Sequence, residues 1–249
     1  MTQLTIIKIN DYGSWTLTLG SDREHELQIL QASLYKEVQK LFSAKNCLVF
    51  LNRSDEFFAV TNGLTLEDHI KIQKKLESAF DLRLSMSIGY GETPFEANLK
   101  AYEGKKTQVF LDKVHNIYGF LNGKTDENVT IMHLDVENLT LIRNTKSPYE
   151  ISSSIFQLYA KMSEFFLDKK AIAFFLGGDN YMVVANENVK QIAREFIDVV
   201  KKEQGIVLNC GIGTAKNARE AAKFATKSLD TIREIRDSGK EKPEIFEMR

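Results

Sequence analysis

A chain of 249 residues, 43% hydrophobic and 27% charged, has room for one large domain or two small ones with real apolar cores. Its 33 basic and 34 acidic residues leave a net charge of -1, which excludes a nucleic-acid wrapper held by bulk charge. Cys47 and Cys210 form no C-x-x-C pair, so a disulfide scaffold and a structural zinc module are excluded and a reducing, cytoplasmic setting is expected.

The apolar pattern divides the chain into elements. A strand is expected near Leu4 to Ile9, followed by a helix carrying Leu27, Leu30, Leu34, Val38 and Leu41. Next come a hairpin around Arg53-Ser54-Asp55-Glu56, a helix from about Leu66 to Phe80, and a strand from Leu82 to Ile88. The polar stretch from Gly119 to Asn128 reads as the connection between halves. The same order then repeats: strand Ile131 to Val136, helix Tyr149 to Leu167, and strands Ala171 to Leu176 and Tyr181 to Ala185 around Gly177-Gly178-Asp179-Asn180. A helix ended by Gly205, a strand Ile206 to Gly213 and a long helix from Ala218 to about Arg236 complete it. No apolar run approaches the ~20 residues of a membrane helix, and M-T-Q-L-T-I-I-K-I-N turns polar too early for a secretory signal.

The repetition extends to residues. An offset of 124 lays Asp55 on Asp179, Val60 on Val184, Gly89 on Gly213 and Ala97 on Ala221, and an offset of 125 lays Thr5 to Asn10 on Thr130 to Asp135. The expected fold is α+β: two tandem ferredoxin-like β-α-β-β-α-β palm domains, each with helices on one sheet face and one further helix. Residues 1–123 form the first, 124–128 the linker, and 129–249 the second, which carries the G-G-D-N hairpin.

In that topology the first strand and the central hairpin are neighbours, so Asp135 and Asp179 are expected to converge at the sheet end. Magnesium takes one or two carboxylates, water and substrate phosphates, and Gly177 and Gly178 let backbone approach a phosphate without a Cβ in the way. A lone G-G-D-N is more often only a tight turn, and a lone strand-end aspartate a solvated one; the conjunction and the Asp55 counterpart favour a metal site. In the first half Asn10 stands where the repeat has Asp135, leaving it open whether Asn10, Asp11, Arg53 and Asp55 bind anything. Trp15 either stacks on a base or closes a core. Lys227 and Arg233 on the last helix either solvate it or reach phosphate. The histidines, His25, His69, His115 and His133, lack zinc-hydrolase spacing.

These residues carry a resemblance. The G-G-D hairpin after an Asp-bearing strand resembles class III nucleotide cyclases and GGDEF-type cyclases, with A-A-K-F-A-T-K-S-L-D-T-I-R in the place of their A-D-x-A-L-Y-x-A-K. Thr226 replaces the usual Asp, and Asn180 the Glu. I-N-D-Y-G-S-W-T, R-E-H-E-L-Q-I-L-Q-A-S-L-Y, F-A-V-T-N-G, E-T-P-F-E-A, H-L-D-V-E-N-L-T and F-F-L-G-G-D-N together resemble the archaeal GTP cyclohydrolase III family over nearly the whole chain. Asn10 departs from the Asp expected there. The resemblance implies a Mg²⁺-dependent GTP hydrolase that opens the imidazole ring at C8, keeps the formyl group and removes the terminal phosphates. It implies metal at Asp135, Asp179 and the Val136 carbonyl, with Asn138 and Asn180 positioning nucleotide or water. Gly177, Gly178, Val136, Glu137, Lys227 and Arg233 would surround the nucleotide, and Gln157 or Ser153 would read guanine. A homo-oligomer is expected, without nucleic-acid or membrane partners.

Overall fold

The computed structural model describes residues 1–121, 128–137 and 145–249. Its contacts group the chain into two compact units, Met1–Glu92 with Glu96–Glu127, and Thr93–Phe95 with Asn128–Arg249.

The first unit contains β1 (Thr2–Ile9), α1 (Tyr12–Leu17), α2 (Glu24–Ser43), β2 (Leu48–Arg53), β3 (Glu56–Val60), α3 (Leu66–Phe80), β4 (Leu84–Gly91), all but the first two residues of α4 (Pro94–Lys106), β5 (Phe110–Asp112) and β6 (Ile117–Gly119). Its sheet runs β2-β3-β1-β4-β6-β5. The second contains β7 (Val129–Val136), α5 (Pro148–Asp168), β8 (Ile172–Gly177), β9 (Asn180–Ala185), α6 (Val189–Gln204), β10 (Leu208–Ala215), α7 (Ala218–Asp237) and β11 (Ile245–Met248), in a sheet ordered β11-β10-β7-β9-β8. Both sheets share an antiparallel four-strand centre in which the first strand lies between the hairpin and the fourth strand, the ferredoxin-like order.

Local chemistry explains the boundaries. Thr65 with Asp68, and Ser147 with Glu150, form capping boxes at the starts of α3 and α5, and Pro148 needs no amide partner in the first turn. Gly205, at φ 65°, closes α6. Alternation along β7 sends Met132, Leu134 and Val136 into a core with Leu158, Met162, Phe196 and Val200 of α5 and α6.

The fold differs from the expectation in three places. Helices cover both faces of each sheet: α4 lies on the β4 face of Gly89, and α7 packs on β10 and β7. Short strands β6 and β11 run parallel to β4 and β10, and Gly119, expected in the connection, ends β6. Strands of three and four residues are too brief to show a period in sequence. The third difference is the register of the repeat. Glu56 faces Lys8 in β1 while Asn180 faces Asp135 in β7, so the strands superpose at an offset of 127, with Lys8 and not Asn10 in the place of Asp135. A slip of two residues keeps every side chain on its face, so hydrophobic alternation cannot detect it.

A buried polar network crosses the first core. His69 Nδ1 donates to the Thr65 carbonyl at 2.7 Å, which leaves Nε2 to accept from the Thr5 hydroxyl at 2.8 Å. Burial pulls the imidazole pKa down from 6.5 to about 4. Below pH 6.5 the unfolded chain takes up a proton that the folded chain refuses, so stability falls as pH drops from 6.5 through 4. The expected loss between pH 7 and pH 4.5 is roughly 2 kcal/mol, and His69→Gln removes it; urea unfolding at those two pH values measures the difference.

Candidate active site

The best-built polar cluster of the second unit lies at the C-terminal end of β7, on the face covered by α7. Alternation puts His133 and Asp135 on this face, opposite the core-facing Leu134 and Val136. Asp135 is only 6% exposed and stands between Asn180 of β9 and Asn209 of β10 in the ladder. Its Oδ2 accepts from Arg233 at 2.6 Å, and Arg233 also donates to Asp230 at 3.1 Å. Its Oδ1 is buried with no hydrogen-bond partner among the described residues. A buried carboxylate oxygen left unsatisfied is costly, and a cation is the partner that such an atom lacks.

The hairpin joins this cluster through a chain of hydrogen bonds. Asn180 donates from Nδ2 to Asp179 Oδ1 at 3.2 Å, and its Oδ1 accepts from His133 Nε2 at 3.2 Å. His133 Nδ1 then accepts from Thr226 of α7 at 3.1 Å. Burial holds the His133 pKa below the usual histidine value, consistent with this neutral tautomer. Asp179 is thereby linked, through Asn180 and His133, to the α7 face of the sheet. Gly177 and Gly178 adopt φ 111° and 62°, conformations that the turn requires and that glycine tolerates. On the other flank, Lys242 pairs with Glu137 at 2.9 Å and donates to Asn209 at 2.8 Å.

The expected residues therefore fall into groups. Asp135 meets Arg233 and faces Asn180 in the ladder, Asp179 is reached through its bond with Asn180, and Val136 and Glu137 continue the Asp135 strand end. Lys227 is exposed, and Thr226 beside it is the α7 residue that reaches the cluster. Asn138 lies outside the described residues. Ser153 is exposed, whereas Gln157 lines a cavity of about 250 Å³ with Val136, Ser154 and Gln204. A neighbouring cavity of about 410 Å³ has Phe156, Phe175 and Gly178 in its wall. Sequence reasoning missed His133, Asn209, Thr226 and Lys242. Spacing by two along β7 could have found His133, but nothing local pairs it with a helix 93 residues later.

Among the described residues, no three His, Cys, Asp or Glu side chains form a ready-made metal cage. Magnesium does not require one, because it retains waters and takes substrate phosphates beside one or two carboxylates. Asp135 and Asp179, with the Val136 carbonyl, suit that role, and the orphaned Asp135 Oδ1 is the observation that supports the fit. Thiol chemistry is not available: burial pushes Cys47 up to about 12 and raises Cys210 as well.

The corresponding place in the first unit has different chemistry. Lys8 lies 3.9 Å from Asp55 and 3.8 Å from Glu56, filling the position of Asp135 with a cation. Lys105 of α4 donates to Ser85 and, at 3.4 Å, to Asn10. Burial, and then the neighbouring Lys8, lower the Lys105 pKa. Trp15 packs against the core with Tyr12, 6.0 Å between ring centroids, the core-closing role of the two expected. Asp11 precedes α1 in a left-handed conformation.

Comparison with known proteins places this geometry in a family. The model of the family described as GTP cyclohydrolase III matches residues 1–244. The chain belongs to the GTP cyclohydrolase III family. The GTP cyclohydrolase III of Methanosphaera stadtmanae is 33% identical over 94% of this chain and 93% of its own length. That of Methanothermobacter thermautotrophicus is 34% identical over 94% and 95%. Among solved structures, a bacterial light-regulated adenylyl cyclase is 10% identical with a TM-score of 0.40, covering 94% of this chain and 83% of that one. Family membership extends across both units, although their strand-end charges differ. No helix among the described residues is long and apolar enough to cross a membrane.

Proposed function

We propose that the chain is a magnesium-dependent GTP cyclohydrolase whose chemistry is carried by the second unit. One water adds at C8 and the C8–N9 bond breaks, leaving the formyl group on N7; two more waters release the terminal phosphates as orthophosphate. The product is 2-amino-5-formylamino-6-(5-phosphoribosylamino)pyrimidin-4(3H)-one. The observation that carries this reading is the unsatisfied, buried Oδ1 of Asp135 beside the Asp179 hairpin, in a chain of this family.

Asp135, Asp179 and the Val136 carbonyl would hold the ion, which supplies positive charge against the triphosphate and polarises bound water. The protein's own groups do the remaining work. Gly177 and Gly178 present backbone to the phosphates, and the Thr226–His133–Asn180 chain fixes Asp179. Neutral His133 keeps Asn180 oriented so that its amide nitrogen faces Asp179. Arg233, Lys227 and Lys242 are the cations within reach of phosphate charge. The aromatic wall of Phe156 and Phe175 suits a purine face, and Gln157 suits the guanine edge. The protein works in the cytoplasm as a homo-oligomer, which a light-scattering mass checks.

Incubation with GTP and Mg²⁺ tests the reaction. Ring opening changes the ultraviolet spectrum and releases two orthophosphates per GTP. Release of pyrophosphate would instead identify a cyclase, and unchanged GTP a binding module; either result removes the proposal.

A further inference from the structure

The ion pair between Arg233 and Asp135 bears on how the site fills. Arg233 donates to Asp135 Oδ2 at 2.6 Å and to Asp230 at 3.1 Å, so its guanidinium is fixed between two carboxylates. Asp135 is buried, whereas the Arg233 side chain is 40% exposed and has solvent to move into. An ion bound at the free Oδ1 would share one carboxylate with the guanidinium, placing like charges a few ångströms apart where burial weakens screening. In the first unit a cation stands in the corresponding place: Lys8 occupies the position of Asp135 and Lys105 donates to Asn10.

Resting on the proposed assignment of Asp135 as an ion ligand, we infer that Arg233 and the divalent ion compete for Asp135. Arg233 holds the carboxylate of the nucleotide-free protein and must leave it when the ion arrives. A triphosphate gives the displaced guanidinium an anionic partner, so the ion enters with the nucleotide and binds poorly alone. Arg233 is thus a positioning residue before it is a phosphate contact. If it were only a phosphate contact, removing it would not change ion affinity in the absence of nucleotide.

The experiment is a titration of the full-length, nucleotide-free protein with Mn²⁺ at fixed pH and ionic strength, free ion being read by electron paramagnetic resonance. Arg233→Met is expected to bind Mn²⁺ about tenfold more tightly than wild type, the scale of one charge-assisted contact removed. Arg233→Lys keeps the charge but gives up the paired N–H groups, and is expected to show part of the gain. Equal or weaker affinity in Arg233→Met overturns the inference; if that variant does not fold, Arg233→Lys decides by the same criterion. Asp135→Asn separates the two levels. Loss of Mn²⁺ binding there with no gain in the Arg233 variants removes the competition alone, while retained wild-type binding removes the assignment of Asp135 and the competition with it.

Discussion

Asp135→Asn is expected to lower GTP turnover roughly a thousandfold while leaving the fold intact, the scale of losing one fixed electrostatic contact to the reacting charge. The substitution preserves shape. It removes the charge of the only buried aspartate in the described core and replaces one carboxylate oxygen with an amide donor. Arg233 loses its partner at Oδ2, and any ion loses its anionic ligand. Asp179→Asn is expected to cost a similar factor, because Asp179 is the second carboxylate of the proposed ion site and accepts a hydrogen bond from Asn180. The rate of the ultraviolet change and of orthophosphate release should fall together, and a thermal melt should show a folded protein. Asp55→Asn is the internal control. It changes the matching hairpin residue of the first unit, where Lys8 replaces the strand carboxylate, and turnover should stay within about twofold of wild type. An Asp135→Asn protein that retains a tenth or more of its activity would falsify the assignment.

The repeat, the strand and helix order, and the pairing of Asp135 with the hairpin could be read from sequence because each is written in apolar periodicity or in a short motif. The boundaries of α3 and α7 were legible for the same reason, since their caps lie at Thr65 and Asn217 beside the first periodic residues. The face covered by α7 was not. Ala218, Ala221, Ala222 and Ala225 read equally well as a weak helix on either side of a sheet, and the glycines that admit them, Gly211 and Gly213, lie on another element. The register of β1 against β7 was also hidden. Lys8 and Asn10 project from the same face, so the alignment that matched Thr5 with Thr130 satisfied the alternation although the ladder places Lys8 opposite Glu56. Arg233 was legible as a cation near the site, but its partner was not, because a guanidinium suits a carboxylate as well as a phosphate.

Gly213→Ala should have a large effect on stability, because α7 lies directly on the sheet at this position. A Cβ on Gly213 would stand 2.1 Å from the Ala221 carbonyl oxygen and 2.3 Å from the Ala225 nitrogen, and one on Gly211 would stand 2.1 Å from the Ala225 carbonyl oxygen. These neighbours are helix backbone, which cannot rotate away as a side chain can, so the whole helix must lift. The expected cost is about 3 kcal/mol or more, read as a fall in Tm of roughly 10 °C. Gly13→Ala is the control: its Cβ meets nothing within 4 Å, and alanine is the better helix former within α1. The loss should extend to activity in whatever fraction remains folded. Ala225 precedes Thr226, and Arg233 is two turns further along the same helix, so lifting α7 lengthens the Thr226–His133 bond and draws the guanidinium from Asp135. A Gly213→Ala protein that melts with wild type would show that the helix does not sit this close to the sheet. The contacts that place Thr226 and Arg233 over Asp135 would then have to be redrawn.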